Sequence, residues 1–255
     1  MPNILSHRIG YVSEPQLPLD RVAALGIRYV EIVPKDGESA EDVLRMLEPH
    51  GLQVSTVHAH PTPLDDDATL LATMETATAY AAKLGARGFF VSLAAGERPR
   101  DEVYAVLRQV GDIVGEQGLF LALETHEDLS ENGDKAAEVL GAVNHPAVGW
   151  NLDTANIYYY NENVDAVSEA RKAARFVRSV HAKDTDGGYK SPAFPNLGEG
   201  VVDFAGVAAV LAEVGFTGPW TMELEGVAGS ANSVELMEDN VRTCAEHLRG
   251  LGIVE

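Results

Sequence analysis

Short apolar runs rich in β-branched and aromatic residues alternate along the chain with longer stretches in which apolar residues recur at helical spacing. This alternation is typical of strand–helix units around a parallel sheet. The pattern predicts eight strands, at His7–Val12, Tyr29–Val33, Gln53–His60, Arg87–Leu93, Phe120–Glu127, Val148–Asn156, Val177–Asp184 and Trp220–Gly226. It also predicts eight helices, near residues 18–25, 38–50, 66–84, 99–117, 133–143, 162–175, 203–214 and 230–250.

Eight such units in 255 residues favour one α/β domain, a (β/α)₈ TIM barrel spanning residues 1–255. The alternative is an open doubly wound sheet. A dinucleotide-binding sheet would carry a glycine-rich turn after its first strand. Residues 12–15, VSEP, contain no glycine. Gly198 and Gly200 are expected instead to shape a turn that leads into a helix capped by Asp203.

Composition and charge narrow the range of partners. The chain is 45% hydrophobic and 23% charged, with a formal net charge of −20, so its long-range field repels nucleic acids and anionic membranes. The N-terminal residues lack the features of a signal peptide and no apolar run is long enough to span a bilayer, so we expect a cytoplasmic protein. The single cysteine, Cys244, is interpreted as structural. The oligomeric state stays open, a homo-oligomer included.

The last four predicted strands each place polar residues on one face. Side chains alternate between the two faces of a strand, and the apolar face of each strand suits the surrounding helices. The inward face then carries Glu124 and His126, Asn151 and Asp153, Ser179, His181 and Lys183, and Glu223 and Glu225. All lie toward the C-terminal ends of their strands, where barrel enzymes build their active sites.

Four of these side chains predict a metal site: Glu124, Asp153, His181 and Glu223. Three converging carboxylates repel one another unless a cation lies between them, and a divalent metal would bind all four groups. Carboxylates with one imidazole suit open octahedral Mn²⁺, which we favour, while Mg²⁺, Co²⁺ and Zn²⁺ remain compatible. An octahedral ion would keep two positions for a bidentate hydroxy-ketone, whose α-proton it would acidify.

Several motifs carry a family resemblance. The segments LALETHE, GWNLDTAN, VHAKDT and LGEGVVDF followed by TMELEG occur in this order. They resemble the xylose isomerase-like family of barrels, also called the sugar phosphate isomerase/epimerase family. The resemblance is strong over the second half of the chain, and the first half matches in strand pattern only. It implies the same four metal ligands that strand parity indicates.

The resemblance also implies chemistry. Similar proteins include ketose 3-epimerases, hydroxypyruvate isomerases, inosose isomerases and dehydratases, dehydroshikimate dehydratases and apurinic-site endonucleases, and most of them remove a proton next to a carbonyl. In the epimerase-like members the two metal-bound glutamates serve as acid and base, which gives those catalytic roles to Glu124 and Glu223. The chain departs from the pattern at Asn156, where several epimerases carry a histidine.

Other polar residues are candidates for substrate binding. His58 and His60 share a face in VHAHP, and His126 and Glu225 lie one step above the predicted ligands. Lys183 could bind a carboxylate, phosphate or enolate oxygen, or form a salt bridge with Asp184 or Glu225. Asn156 completes this group. Glu31 is a candidate for binding a sugar hydroxyl, and residues 185–200 form a long loop that could shape or cover the site.

The leading hypothesis is a metal-dependent isomerase or epimerase acting on a small keto-sugar or polyol-derived ketone through a metal-bound enediolate. The second is a lyase or dehydratase, in which the same enolate expels a β-leaving group. An apurinic-site endonuclease is disfavoured by the net charge of −20. A non-enzymatic binding protein would hold no metal tightly and would tolerate Glu124→Gln or Glu223→Gln.

Overall fold

The protein is described by a computed structural model that covers residues 3–10, 16–59, 66–227 and 233–255. Its parallel strands close into a barrel in chain order, with β1 pairing both β2 and β8. The predicted (β/α)₈ TIM barrel is therefore confirmed and the open sheet is excluded. The strands are β1 Ile4–Ile9, β2 Tyr29–Ile32, β3 Gln53–His58, β4 Gly88–Val91, β5 Phe120–Glu124, β6 Val148–Asp153, β7 Val177–Ala182 and β8 Pro219–Met222.

The helices pack around the barrel, and their starts follow the capping residues in the sequence. Ser39 forms a capping box with Asp42 at the start of α2, and the Asp203 carboxylate accepts from the Gly206 N–H at the start of α8. The helices are α1 Leu19–Ala24, α2 Ala40–Leu47, α3 Asp67–Leu84, α4 Arg100–Glu116, α5 Gly133–Val143, α6 Asn156–Tyr160, α7 Ala166–Ala173, α8 Phe204–Glu213 and α9 Val234–Gly250. Within the part of the chain that the structure describes, no helix is long and apolar enough to cross a membrane.

Helix α6 is the main departure from the sequence-based prediction, which extended strand six to Asn156. The strand ends at Asp153, because one oxygen of that carboxylate accepts from the backbone N–H groups of Ala155 and Asn156, each at 2.9 Å. This turn directs the chain into a short helix. Strands five and seven likewise end three and two residues earlier than predicted, because His126 and Lys183 belong to the loops above the barrel. The predicted ends of strands one and three, Val12 and His60, lie outside the described residues.

Side-chain parity along the strands is as the sequence indicates. Trp150 and Trp220 are fully buried in the hydrophobic core of the molecule. The interior of the barrel holds small polar residues, for example Asn151, whose Oδ1 accepts from Ser179 Oγ at 2.6 Å. Cys244 is buried as well, and burial raises the pKa of its thiol to about 12, in keeping with a structural role.

The loop of residues 185–200 after β7 is anchored by one buried carboxylate. Asp184 accepts from the backbone N–H groups of Thr185, Gly198, Gly200 and Val202 at 2.8 to 3.1 Å. These bonds explain the GEG motif, because Gly198 adopts a φ of +89° and a Cβ at Gly200 would lie 2.3 Å from the Asp184 carboxylate. The loop therefore has a fixed path across the top of the barrel.

Candidate metal centre

The structure brings the four predicted ligands together at the C-terminal end of the barrel. Glu124 and Asp153 are the last residues of β5 and β6, His181 lies near the end of β7, and Glu223 directly follows β8. All four are buried, and each offers a ligand atom within 4.8 Å of the others. Four consecutive strands therefore present a compact set of oxygen and nitrogen donors.

The orientation of the His181 ring assigns one nitrogen to this cluster. Its Nδ1 lies 3.0 Å from Glu124 Oε1 and 2.7 Å from Glu223 Oε2, whereas its Nε2 lies 3.2 Å from a carboxylate oxygen of Glu31. A buried carboxylate at Nε2 favours a proton on that atom, which leaves the Nδ1 lone pair for a metal. His181 would therefore bind a metal through Nδ1.

Glu31 supports the histidine and does not face the substrate cavity, in contrast to its suggested role as a sugar ligand. It is completely buried and accepts from Arg8 Nε at 2.9 Å and from Thr56 Oγ1 at 2.6 Å, besides its contact with His181. Burial opposes ionisation, but the charges of His181 and Arg8 outweigh it and hold the pKa of Glu31 at about 2. The carboxylate beneath His181 is thus a permanent anion.

Arg8 and Ser92 bind the carboxylate oxygens of Glu223 and Glu124 that do not contact His181. Arg8 Nη1 donates to Glu223 Oε1, and Ser92 Oγ donates to Glu124 Oε2. Neither residue was predicted from the sequence. Arg8 carried a readable signal, because it pairs directly with Glu31 across β1 and β2 and the alternation in ILSHRI turns it inward. Ser92 follows an apolar strand and carries no such signal.

The donor set fits a divalent cation. Asp153 Oδ2 is buried and has no hydrogen-bond partner among the described residues, and Glu223 Oε2 contacts only His181 Nδ1 among the ion pairs of that oxygen. Burial, together with the charges of Glu223 and Glu124, raises the pKa of Asp153 to about 7, against the opposing influence of Lys183. Burial opposes protonation of His181, but Glu31 and Glu223 raise its pKa well above the usual value. A cation would satisfy the unpartnered Asp153 oxygen and replace the protons on Asp153 and His181.

Five of the six predicted substrate-binding residues line one cavity of about 420 Å³ above the cluster: His58, His126, Asn156, Lys183 and Glu225. The sixth, His60, lies outside the described residues. Phe90, Tyr159, Tyr160, Pro192 and Phe194 also line this cavity and were not predicted. The tyrosines belong to α6, whose five residues are too few for a helical period to be read from the sequence.

The polar residues that line the cavity differ in the contacts that their side chains make. Lys183 Nζ lies 2.6 Å from Glu225 Oε2 and 3.7 Å from Glu223 Oε1, so the alternative of a salt bridge to Glu225 is realised inside the site. Asn156 Nδ2 donates to the backbone oxygen of Thr125 at 3.0 Å, which ties α6 to β5. The His58 ring stacks on Phe90 at 4.7 Å between centroids.

Comparison with known proteins assigns the family. The family model described as xylose isomerase-like TIM barrel matches residues 19–249. The chain belongs to this family. No protein of curated function matches the sequence. The predicted resemblance, which was strong only in the second half of the sequence, is thereby confirmed over nearly the whole chain.

Solved structures show the same fold at low sequence identity. D-allulose 3-epimerase from Methylomonas sp. has a TM-score of 0.77 at 17% identity, with 98% of each chain covered. IolI, solved with a bound zinc atom, has a TM-score of 0.75 at 18% identity, with 98% of each chain covered. The probable 3-DHS dehydratase AsbF from Bacillus anthracis has a TM-score of 0.74 at 15% identity, covering 95% of this chain and 98% of its own. One fold thus serves an epimerase and a probable dehydratase.

Proposed function

We propose that the chain is a divalent-metal-dependent isomerase or epimerase that removes a proton next to the carbonyl of a small keto-sugar or polyol-derived ketone. The observation that carries the proposal is the buried cluster, in which Glu124 and Glu223 both approach His181 Nδ1 at the floor of a cavity lined by polar residues. The epimerase and IolI folds are consistent with this assignment.

Glu124, Asp153, His181 and Glu223 would hold the cation, with Mn²⁺ favoured. When bound, a divalent cation supplies Lewis-acid polarisation of a carbonyl, which acidifies the neighbouring C–H. Glu124 is the better base of the pair. Its Oε2 accepts from the neutral Ser92 hydroxyl, whereas Glu223 Oε1 accepts from the Arg8 guanidinium.

Lys183 would stabilise negative charge on a substrate oxygen. Its ammonium is buried between Glu223 and Glu225 and lines the cavity. Burial lowers the pKa of the lysine, but the charges of Glu223, Asp153 and Glu225 outweigh that effect and raise it above the usual value. A lysine that keeps its proton acts as a fixed cation toward a developing enolate and does not transfer the proton.

A lyase is the second candidate, and the asymmetry between the two glutamates favours it. Burial raises the pKa of Glu223, but Arg8, Lys183 and His181 lower it well below the usual value. The pKa of Glu124 is lowered too, but Glu124 accepts from a neutral hydroxyl and Glu223 from a guanidinium, so Glu223 is the weaker base of the pair. Epimerisation needs an acid–base group on each side of the substrate, whereas elimination needs one base and stabilisation of the departing group. Asn156, whose amide donor is bound to Thr125, provides no replacement for the second group.

One experiment distinguishes isomerisation or epimerisation from elimination. The Mn²⁺-loaded protein is incubated with a panel of ketoses in D₂O and followed by ¹H NMR and ultraviolet absorbance. Deuterium next to the carbonyl of a recovered or epimeric ketose supports the isomerase, and a conjugated enone absorbance supports the lyase.

Glu124→Gln should abolish either signal, while Glu75→Gln, an exposed glutamate on α3, should leave it intact. The proposal fails if the metal-loaded protein causes neither exchange nor elimination with any ketose of the panel.

A further inference from the structure

The deep part of the cavity above the cluster is mostly charged, with the buried ring of Phe90 beside the charges, and aromatic rings lie toward its mouth near Glu225. The floor is formed by buried side chains such as Glu124, Glu223 and Lys183, which are 4 to 7% exposed. The upper wall includes Tyr160 and Phe194, which are only half-buried and line the same cavity. A ligand that reaches from floor to mouth would therefore meet charge first and apolar ring faces second.

The aromatic residues come from two separate elements and begin directly above the polar ones. The Tyr160 ring, on α6, lies 4.9 Å from the ring of His126, which follows Glu124 by two positions. The Phe194 ring, on the loop of residues 185–200, lies with its centroid 4.3 Å from Lys183 Nζ. Phe194 therefore contacts a group proposed to act on the ketone, and Tyr160 packs against His126, which lines the same cavity.

Lys190 connects the two elements that carry Tyr160 and Phe194, which together form the aromatic wall of the cavity. Its backbone N–H donates to the Tyr159 oxygen at 3.0 Å, and its ammonium pairs with Glu127. The same ammonium lies 5.0 Å from the Tyr159 ring centroid and 4.5 Å from that of Tyr160. These contacts join α6 to the loop that carries Phe194, so the aromatic surface is organised before any ligand arrives.

The cavity has room for more than one sugar ring. Its volume of about 420 Å³ lies within the range of about 300 to 1,000 Å³ typical of sites that take drug-sized ligands. A monosaccharide on the floor would therefore leave the aromatic wall in contact with water.

We propose that the substrate is a keto-sugar that carries a second ring, either another sugar or an aryl group. The keto-sugar unit lies on the charged floor, and the second ring stacks on Tyr160 and Phe194. The apolar face of a sugar ring and an aryl ring share the chemistry that such a wall recognises. This inference rests on the proposed function and specifies its substrate class.

The test compares the binding of three ketoses to the Mn²⁺-loaded full chain by isothermal titration calorimetry: D-fructose, the glucosyl-fructose isomaltulose, and 6-O-benzyl-D-fructose. A stacked second ring should lower Kd at least about tenfold relative to fructose. Tighter binding of isomaltulose assigns a sugar ring, and tighter binding of the benzyl ether assigns an aryl ring. Equal or weaker binding of both ring-bearing ketoses overturns the inference.

Proton exchange in D₂O is measured separately on the same three compounds. Absence of exchange contradicts the proposed function, whereas equal Kd values contradict only the second ring, so the two failures are distinguishable.

Variants of the wall locate the second ring. Tyr160→Ala and Phe194→Ala, on different elements, should each reduce the ratio of Kd values between fructose and the better ring-bearing ketose to about twofold or less. Tyr189→Ala is the matched control, since this tyrosine is 53% exposed on the same loop and does not line the cavity. Thermal melting monitors folding, and Phe194→Ala alone decides if Tyr160→Ala does not fold. A ratio retained in folded wall variants overturns the inference.

Discussion

Replacing Glu31 by glutamine tests how the metal-facing nitrogen of His181 is selected. The Glu31 carboxylate lies 3.2 Å from His181 Nε2 and also accepts from Arg8 Nε at 2.9 Å and Thr56 Oγ1 at 2.6 Å. Glutamine keeps the shape but removes the charge, and its NH₂ group must face one of these donors. The ring then loses the partner that keeps the Nε2 proton in place.

The magnitude follows from the position of Glu31 directly behind His181, a proposed metal ligand. Loss of such a partner weakens metal binding about 10- to 100-fold, equivalent to about 1.4 to 2.7 kcal/mol. Removing one member of a buried ion pair also costs about 3 to 5 kcal/mol of folding stability. We expect the lower end of that range, because Arg8 keeps its bond to Glu223.

Competition with a fluorescent chelator at fixed pH measures the affinity for Mn²⁺, and urea denaturation measures stability. Glu169→Gln is the matched control, because Glu169 is a buried glutamate that accepts from Gly133 N–H and Lys172 near α5 and α7. It should lose stability and keep the affinity for Mn²⁺. The reasoning is refuted if folded Glu31→Gln binds Mn²⁺ as tightly as the parent chain, or if Glu169→Gln weakens binding equally.

Three further predictions concern protons, the loop and the lysine. Because the pKa of His181 is raised well above 6.5 and that of Asp153 is about 7, Mn²⁺ binding at pH 7 should release protons and tighten as pH rises. Calorimetry in buffers of different ionisation enthalpy measures this release, and the absence of any buffer dependence would contradict it. Asp184→Ala removes four hydrogen bonds to backbone N–H groups and should lower the free energy of unfolding by about 2 to 4 kcal/mol. The control Asp186→Ala, at an exposed position of the same loop, should lower it by about 0.5 kcal/mol. Equal losses would be inconsistent with the anchoring role of Asp184. Lys183→Met should lower kcat/KM at least about 100-fold without weakening Mn²⁺ binding, and full activity would remove the lysine from the mechanism.

The sequence predicted the cluster of candidate metal ligands because the necessary information is local. In the last four strands a two-residue period separates apolar from polar side chains, and the chain order of a closed barrel makes those strands neighbours. Glu124, Asp153, His181 and Glu223 also occur at strand ends, so their common level follows from the fold. These features require no knowledge of loop geometry.

The supporting and upper parts of the site depend on contacts between distant segments. The bond from Arg8 to Glu223 joins residues 215 positions apart, and the Arg8–Glu31 pair required the inward face of the first two strands to be recognised as polar. Tyr160 was missed because Asp153 ends its strand with a carboxylate turn that an apolar pattern does not reveal. The long loop was recognised, but its fixed path depends on Asp184.

The central claim is that Glu124, Asp153, His181 and Glu223 bind one divalent cation. Anomalous diffraction from a crystal of the full chain soaked in Mn²⁺ tests it most directly. We predict one strong anomalous peak in the cluster, about 2.0 to 2.4 Å from Nδ1 of His181 and from one oxygen of each carboxylate, and its loss in Asp153→Asn. A map with no peak between these four side chains, from a crystal fully exposed to Mn²⁺, would contradict the account.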